Sequence, residues 1–294
     1  MADRFRHFLA IDWSGARGER QKGIALAMAA LDGAPPRLIG NPGGWSRAAV
    51  LGLLRDNLPE DTLVGLDLGI SLPFADCGAF FPGWQASPED APSLWALVER
   101  ICAGDPHLSA QSFVDHDEAS RYFRRDKGRE GAAFRCDRAS HGRGRFRVAE
   151  LMQAQQGCTP YSNFNLVGAA QVGKSSLTGM RVLHALRGYL PVWPVDDLPE
   201  TGSVLVEIYT TIAAIAANRT ARKSKIRDHA ELAAALQALG SPAVDNYGPI
   251  DDHSADALIT AAWLRANAGR KELWSPKALT DKIAQTEGWT FGVA

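Results

Sequence analysis

Short apolar runs that stop at an acidic residue recur along this chain. Phe8-Leu9-Ala10-Ile11 runs into Asp12, Leu63-Val64-Gly65-Leu66 into Asp67, and Val204-Leu205-Val206 into Glu207. Runs this brief, with no polar alternation, predict strands buried on both faces, as in the parallel sheets of α/β proteins. Residues 5–12, 22–31, 36–40 and 62–67 read as strands, the last parallel to the first. Residues 46–55 read as a helix with Ser46 as its N-cap. After residue 164 the pattern predicts helices over 175–189, 211–218, 229–239 and 252–268 and a strand over 203–210. Gly240 and Gly269 stand where helices commonly end. Residues 287–293 close the chain as a short strand or extended tail. Residues 71–164 hold no convincing central strand, only Pro-, Gly- and Arg-rich chain with short helical pieces such as 92–102. The expectation is one α/β domain over residues 1–294, with 71–164 as an insertion lying over the site.

Composition changes this picture little. Of 294 residues 46% are hydrophobic and 22% charged, enough to bury a sizeable core. Apolar stretches such as residues 23–31 are too short to span a bilayer, and the first residues carry no signal-peptide core. Four widely spaced cysteines without a C-x-x-C pair predict a reduced, cytoplasmic protein, and Cys136, His141 and Cys158 match no standard zinc spacing.

Charge is distributed unevenly. The net charge is -1, yet residues 121–147 hold ten Lys or Arg against three acids, a local excess of +7. One interpretation is a solvated loop. The other is a phosphate-gripping patch in which Arg124, Arg125, Arg135 and Arg138, with Lys174 further on, contact a nucleic acid.

The strand-terminal acids are the candidate chemistry. Open α/β sheets build their sites at the carboxyl ends of strands, so Asp12, Asp67 and Glu207 are expected to converge there. Two carboxylates 4 Å apart repel by about 4 kcal/mol at an effective dielectric near 20, and a divalent cation relieves that. The helix at 252–268 adds to the case, because it is apolar nearly all round yet carries Asp252 and Asp256 at i, i+4. An acid such as Asp256 on a buried helix is costly unless paired or metal-bound. Asp252, nearer the helix N-terminus, is favoured there by the helix dipole alone and ranks below it. Ser14-Gly15 after Asp12 and Leu68-Gly69 after Asp67 leave the backbone open to a phosphate or a metal-bound water. The plain alternative for each strand-terminal aspartate is that it caps the turn that follows. His253, beside this acidic helix face, is a candidate proton shuttle or simply a helix cap.

Ile11-Asp12, Gly65-Leu66-Asp67-Leu68-Gly69-Ile70, Val206-Glu207-Ile208-Tyr209, Asp256-Ala257-Leu258 and Glu287-Gly288-Trp289 follow one another in the order seen in the domain-of-unknown-function 429 family. The chain resembles that family over nearly its whole length, with the Arg-rich middle matching least. The resemblance implies a ribonuclease H-like fold, a mixed sheet flanked by helices, and a predicted nuclease activity. It implies that Asp12, Asp67, Glu207 and Asp256 form an acidic site for Mg²⁺ or Mn²⁺. In such nucleases two ions sit about 3.5–4 Å apart. Asp12 would then bridge both, Asp67 and Asp256 would complete them, and Glu207 would position a ligand or water.

Three rival readings compete with phosphodiester hydrolysis. Gly168-Ala169-Ala170-Gln171-Val172-Gly173-Lys174-Ser175 matches the G-x-x-x-x-G-K-[ST] pattern of a P-loop NTPase. Against it stand a short preceding run punctuated by Asn163 and Asn165, a glutamate rather than an aspartate downstream, and too little chain to finish a nucleotide-binding core. The phosphate loops of actin-like ATPases also resemble the segments after Asp12 and Asp67, but only 55 residues part the two acids. The third is a non-catalytic nucleic-acid-binding module, which the basic segment would serve equally well. Burial of several acids without a use for them argues against that.

Overall fold

The computed structural model describes residues 4–125, 127–136, 143–168, 171–221 and 224–294. Its strands are β1 His7–Asp12, β2 Ala25–Ala30, β3 Arg37–Leu38, β4 Thr62–Asp67, β5 Arg124–Arg125, β6 Arg129–Glu130, β7 Val192–Trp193 and β8 Val204–Glu207. Its α-helices are α1 Arg47–Asp56, α2 Ala91–Cys102, α3 Gln111–Asp115, α4 Val148–Gln155, α5 Val172–Ala185, α6 Thr210–Ala216, α7 His229–Ala238, α8 Asp252–Asn267, α9 Lys271–Trp274 and α10 Asp281–Thr286. Six strands form one mixed sheet in the order β3-β2-β1-β4-β8-β7. β2 runs antiparallel to β1 and β3, while β1, β4, β8 and β7 run parallel. β5 and β6 make a separate antiparallel pair.

The apolar runs form the centre of this sheet because each strand is buried on both faces. Leu9, Ile11, Val64, Leu66 and Leu205 pack toward α2 and α5. Phe8, Ala10, Leu63, Val204 and Val206 pack on the opposite face toward α7 and α8. Alternation of successive side chains across the sheet sorts them so. Helix α8 lies directly on β1 and β2. Ser46 caps α1 as its position predicts, its Oγ accepting from the backbone N–H of Ala49 at 3.0 Å.

Some boundaries differ from the expectation. α5 begins at Val172, three residues before Ser175, so Gly173 and Lys174 are helical. β8 stops at Glu207, because Thr210 already opens α6. The two-residue strand β7 and the helix α4 carry too little pattern to be legible.

The segment after β4 is fastened to the sheet by buried arginines. Arg145, fully buried, donates to both oxygens of Asp76 at 2.9 and 2.6 Å and to the carbonyls of Pro73, Ala79 and Phe80. Arg147 bridges Glu150 at 2.5 Å and Glu207 at 2.6 Å, and it also donates to the carbonyl of Glu287 at 2.9 Å. Glu287, itself buried, accepts from the backbone N–H groups of Phe74, Ala75 and Val148. One knot thus joins residues 74–75, the start of α4, the end of β8 and the C-terminal tail. The tail bridges β8 at Glu207 and Thr290 rather than forming a strand of its own.

Cys77 and Cys136 are joined by a disulfide, so four reduced thiols is not what the structure holds; Cys102 and Cys158 are free and buried. Residues 59 apart in sequence give no spacing signal for this pairing. Among the described residues no helix is long and apolar enough to cross a membrane.

Removing one partner from a buried ion pair leaves an uncompensated charge, at a cost of roughly 3–5 kcal/mol. Arg147→Met should lower the unfolding free energy by about that much in urea titrations. Arg135→Met, which breaks an exposed pair with Glu130, should cost far less. Equal small losses would remove Arg147 from its structural role.

Candidate acidic site at the carboxyl edge of the sheet

Register brings the first two acids together. β1 and β4 pair in parallel with Asp12 opposite Asp67, so both carboxyl groups leave the sheet on the same face as Ala10 and Phe8. That is the face α8 covers, and α8 contributes Asp256. Asp12 and Asp256 are 7% and 5% exposed, low enough that each needs a partner.

The partners are cationic side chains at the rim. The Nδ1 of His253 lies 2.8 Å from Asp12 Oδ2. Its hydrogen bond to Asp12 holds the His253 pKa above its ordinary value, despite partial burial. Lys225 donates from Nζ to Asp256 Oδ2 at 2.7 Å and lies 3.7 Å from Asp252 Oδ2. Burial works against the Lys225 charge, but Asp256, Asp12 and Asp252 together keep its pKa raised. Asp252 sits in the first turn of α8 and also faces Arg227 at 3.9 Å. The N-cap of α8 is Asp251, which accepts from Ser254.

Asp67 is the acid with least help. Its contacts are two long hydrogen bonds from Thr210, 3.4 Å from the backbone N–H and 3.3 Å from the hydroxyl. Burial, then the nearby charges of Asp12 and Asp256, push its pKa well above the usual carboxylate range. Asp256 is pushed up to about 6, by burial first, against the pull of Lys225.

Glu207 does not join this cluster. It pairs with Leu66 rather than Asp67, one position out of step, so its side chain leaves by the opposite face. There Arg147 holds it, the backbone N–H of Ile70 donates to Oε2 at 2.8 Å, and the Thr290 hydroxyl bonds Oε1. The knot described above engages both of its oxygens, and Glu207 also lines the cavity that Asp67 lines.

A cavity of about 540 Å³ opens over the sheet edge, lined among others by Ser14, Asp67, Lys174, Tyr209, Lys225 and His253. The turn after Asp12 is more closed than expected. Ser14 Oγ accepts from the backbone N–H of Ala16 at 3.2 Å. A Cβ on Gly15 would collide with the backbone of Lys174 and Ser175, so this glycine serves close packing against α5.

The P-loop match fails on context. The chain before Gly168 makes only an isolated bridge between Asn165 and Arg124 and is no strand of the main sheet. Lys174 donates to Gln171 Oε1 at 2.9 Å within the first turn of α5.

The basic segment is also more committed than its charge suggests. Arg124 donates to the carbonyl of Gly128, Arg125 faces Asp115, and Arg135 grips both oxygens of Glu130. Arg145 and Arg147 are buried. Arg138 lies outside the described residues.

Among the described residues no group of three or more His, Cys, Asp or Glu side chains is set close enough to hold a metal ion. Sequence pattern singled out neither Lys225 nor Arg147. The first sits in a charge run before α7, and the second reads as one more residue of the basic patch.

The raised Asp256 makes stability depend on pH. Between its unfolded pKa of 3.8 and its native value of about 6, the native state binds more protons than the unfolded state. The stabilisation is therefore present below about pH 4 and is lost as pH rises through 6, a change on the order of 3 kcal/mol. In chelator-treated protein, the stability of the wild type relative to Asp256→Asn should fall by on the order of 2–3 kcal/mol from pH 4 to 7 in urea unfolding. A flat or rising difference would contradict the assignment. No family model, curated protein or solved structure matches the chain.

Proposed function

We propose that the chain is a Mg²⁺- or Mn²⁺-dependent phosphodiester hydrolase of ribonuclease H-like type, acting on nucleic acid. One observation carries this: Asp12 and Asp67 stand side by side at the carboxyl end of adjacent parallel strands, with Asp256 beside them from α8. The mixed six-stranded sheet is compatible with the ribonuclease H-like type, and the ordered motifs resembling the domain-of-unknown-function 429 family support it.

The oxygen donors suit a hard divalent cation in kind, although they are spread wider than a closed site requires. Carboxylate oxygens are the ligands Mg²⁺ and Mn²⁺ select. The mutual repulsion among Asp12, Asp67 and Asp256 is what such an ion would relieve. In the arrangement described, His253 and Lys225 supply part of that positive charge instead. Asp12, Asp67 and Asp256 are the residues that would hold the ion, drawn closer together than they stand here, where no three acids among the described residues are close enough to share one, and Glu207 is not among them. When bound, the ion would neutralise phosphate charge and make water a stronger nucleophile.

The chain's own side chains supply the rest. His253, half-exposed at the cavity wall and hydrogen-bonded to Asp12, is placed to hold a proton during hydrolysis. Lys225, also half-exposed there, presents a cation to a phosphate. Thr210 steadies Asp67 from the start of α6.

Mg²⁺-dependent cleavage of single-stranded and duplex DNA and RNA tests this. Loss of a residue that merely supports a metal ligand costs roughly 10–100-fold, so Asp12→Asn and Asp256→Asn should each lose about 100-fold or more while remaining folded. Lys174→Ala should lose less than about tenfold. Undiminished cleavage in Asp12→Asn, or ATP turnover that vanishes with Lys174→Ala, would overturn the assignment.

A further inference from the structure

A second cavity, of about 490 Å³, lies beside the acidic cleft and shares Gly15, Ala16 and Lys174 with it. Its volume falls in the range that encloses a small ligand. One wall is apolar, built from Leu166, Leu177, Val167, Val114 and Pro106. The mouth carries a relay of polar groups from two parts of the chain. Arg17 donates to Gln111 Oε1 at 2.8 Å, Gln111 donates to Asp115 Oδ2 at 2.6 Å, and Arg125 lies 3.5 Å from Asp115 Oδ1. An apolar wall facing a hydrogen-bonding rim suits a flat heteroaromatic ring with polar edges.

A buried charge behind this cavity points to the rest of the ligand. Arg47 is 1% exposed and donates to the carbonyls of Ala16 and His107, both of which line the cavity. Among the described residues it has no carboxylate partner, and its Nε has no hydrogen-bond partner at all. The other deeply buried arginines each have an acid: Asp76 for Arg145, Glu150 and Glu207 for Arg147, Glu99 for Arg181. Arg47 is also the first residue of α1, where the helix dipole disfavours a cation. Its pKa is pushed down to about 10, by burial and then by the charge of Arg181. A buried charge left so exposed to cost asks for an anion nearby.

We propose that this cavity binds one unpaired nucleotide of the substrate, its base against the apolar wall and its phosphate toward Arg17, Lys174 and the field of Arg47. The proposal rests on the hydrolase assignment above and narrows its substrate. A cavity of this size accepts a single base with its phosphate, not a stacked pair, so the strand being cut is single-stranded or frayed where it enters.

Calorimetric titration of the full chain with adenosine 5′-monophosphate, in chelator and without metal, tests it. Wild type and Asp12→Asn should bind alike. Val167→Trp, which fills the cavity from a partly exposed position, and the exposed Arg17→Ala should each weaken binding about tenfold or more. Arg47→Met should weaken it by a similar factor, with some loss of thermal stability because the carbonyls of Ala16 and His107 lose their donor. No binding to the wild type would overturn the proposal. So would binding kept in both Val167→Trp and Arg17→Ala, which would put the ligand outside this cavity. A protein that binds the nucleotide yet cleaves nothing would refute the hydrolase assignment and leave the binding site standing. One that cleaves yet binds no nucleotide would refute only the cavity's role.

Discussion

Two aspartates fixed opposite each other in neighbouring parallel strands are the constraint around which the cleft is arranged. Parallel strands lie about 4.8 Å apart, so the in-register pair Asp12 and Asp67 cannot separate its charges without breaking the sheet. Everything close by responds to that excess. Asp67 is held toward its neutral form, His253 is held toward its charged form, and Lys225 reaches in from the segment before α7 to meet Asp256.

The same sheet solves a buried charge in the opposite way on its other face. Glu207 sits one register step away, opposite Leu66, and therefore meets α4 rather than α8. Arg147 donates there to both oxygens of Glu150 and to both oxygens of Glu207. A carboxylate held by so many internal hydrogen bonds acts first as a fastener. The Asp12 cluster, with its charge only partly offset by half-exposed cations, is the one left with work to do. Arg47 is its mirror image, a buried cation without an acid, next to the adjoining cavity.

Much of this was legible in the chain. Apolar runs ending in acids located the central strands, with residues 62–67 matching β4 residue for residue. The apolar helix over 252–268 located Asp256. Face, by contrast, depends on strand pairing, which sequence periodicity does not contain; Asp67 and Glu207 look identical as strand-terminal acids yet point opposite ways. The basic segment misled for a related reason. Charge counts cannot distinguish an arginine bound for solvent from Arg145 or Arg147, whose partners Asp76 and Glu207 are 69 and 60 residues away. The Gly-Lys-Ser match similarly carried no information about whether a strand of the sheet preceded it.

The most direct test is calorimetric titration of the chelator-stripped protein with Mn²⁺, alongside Asp67→Asn and Glu207→Gln. The account predicts binding in the wild type, its loss in Asp67→Asn, and its retention in those Glu207→Gln molecules that remain folded. Absence of binding in the wild type, or loss in folded Glu207→Gln with retention in Asp67→Asn, would contradict it.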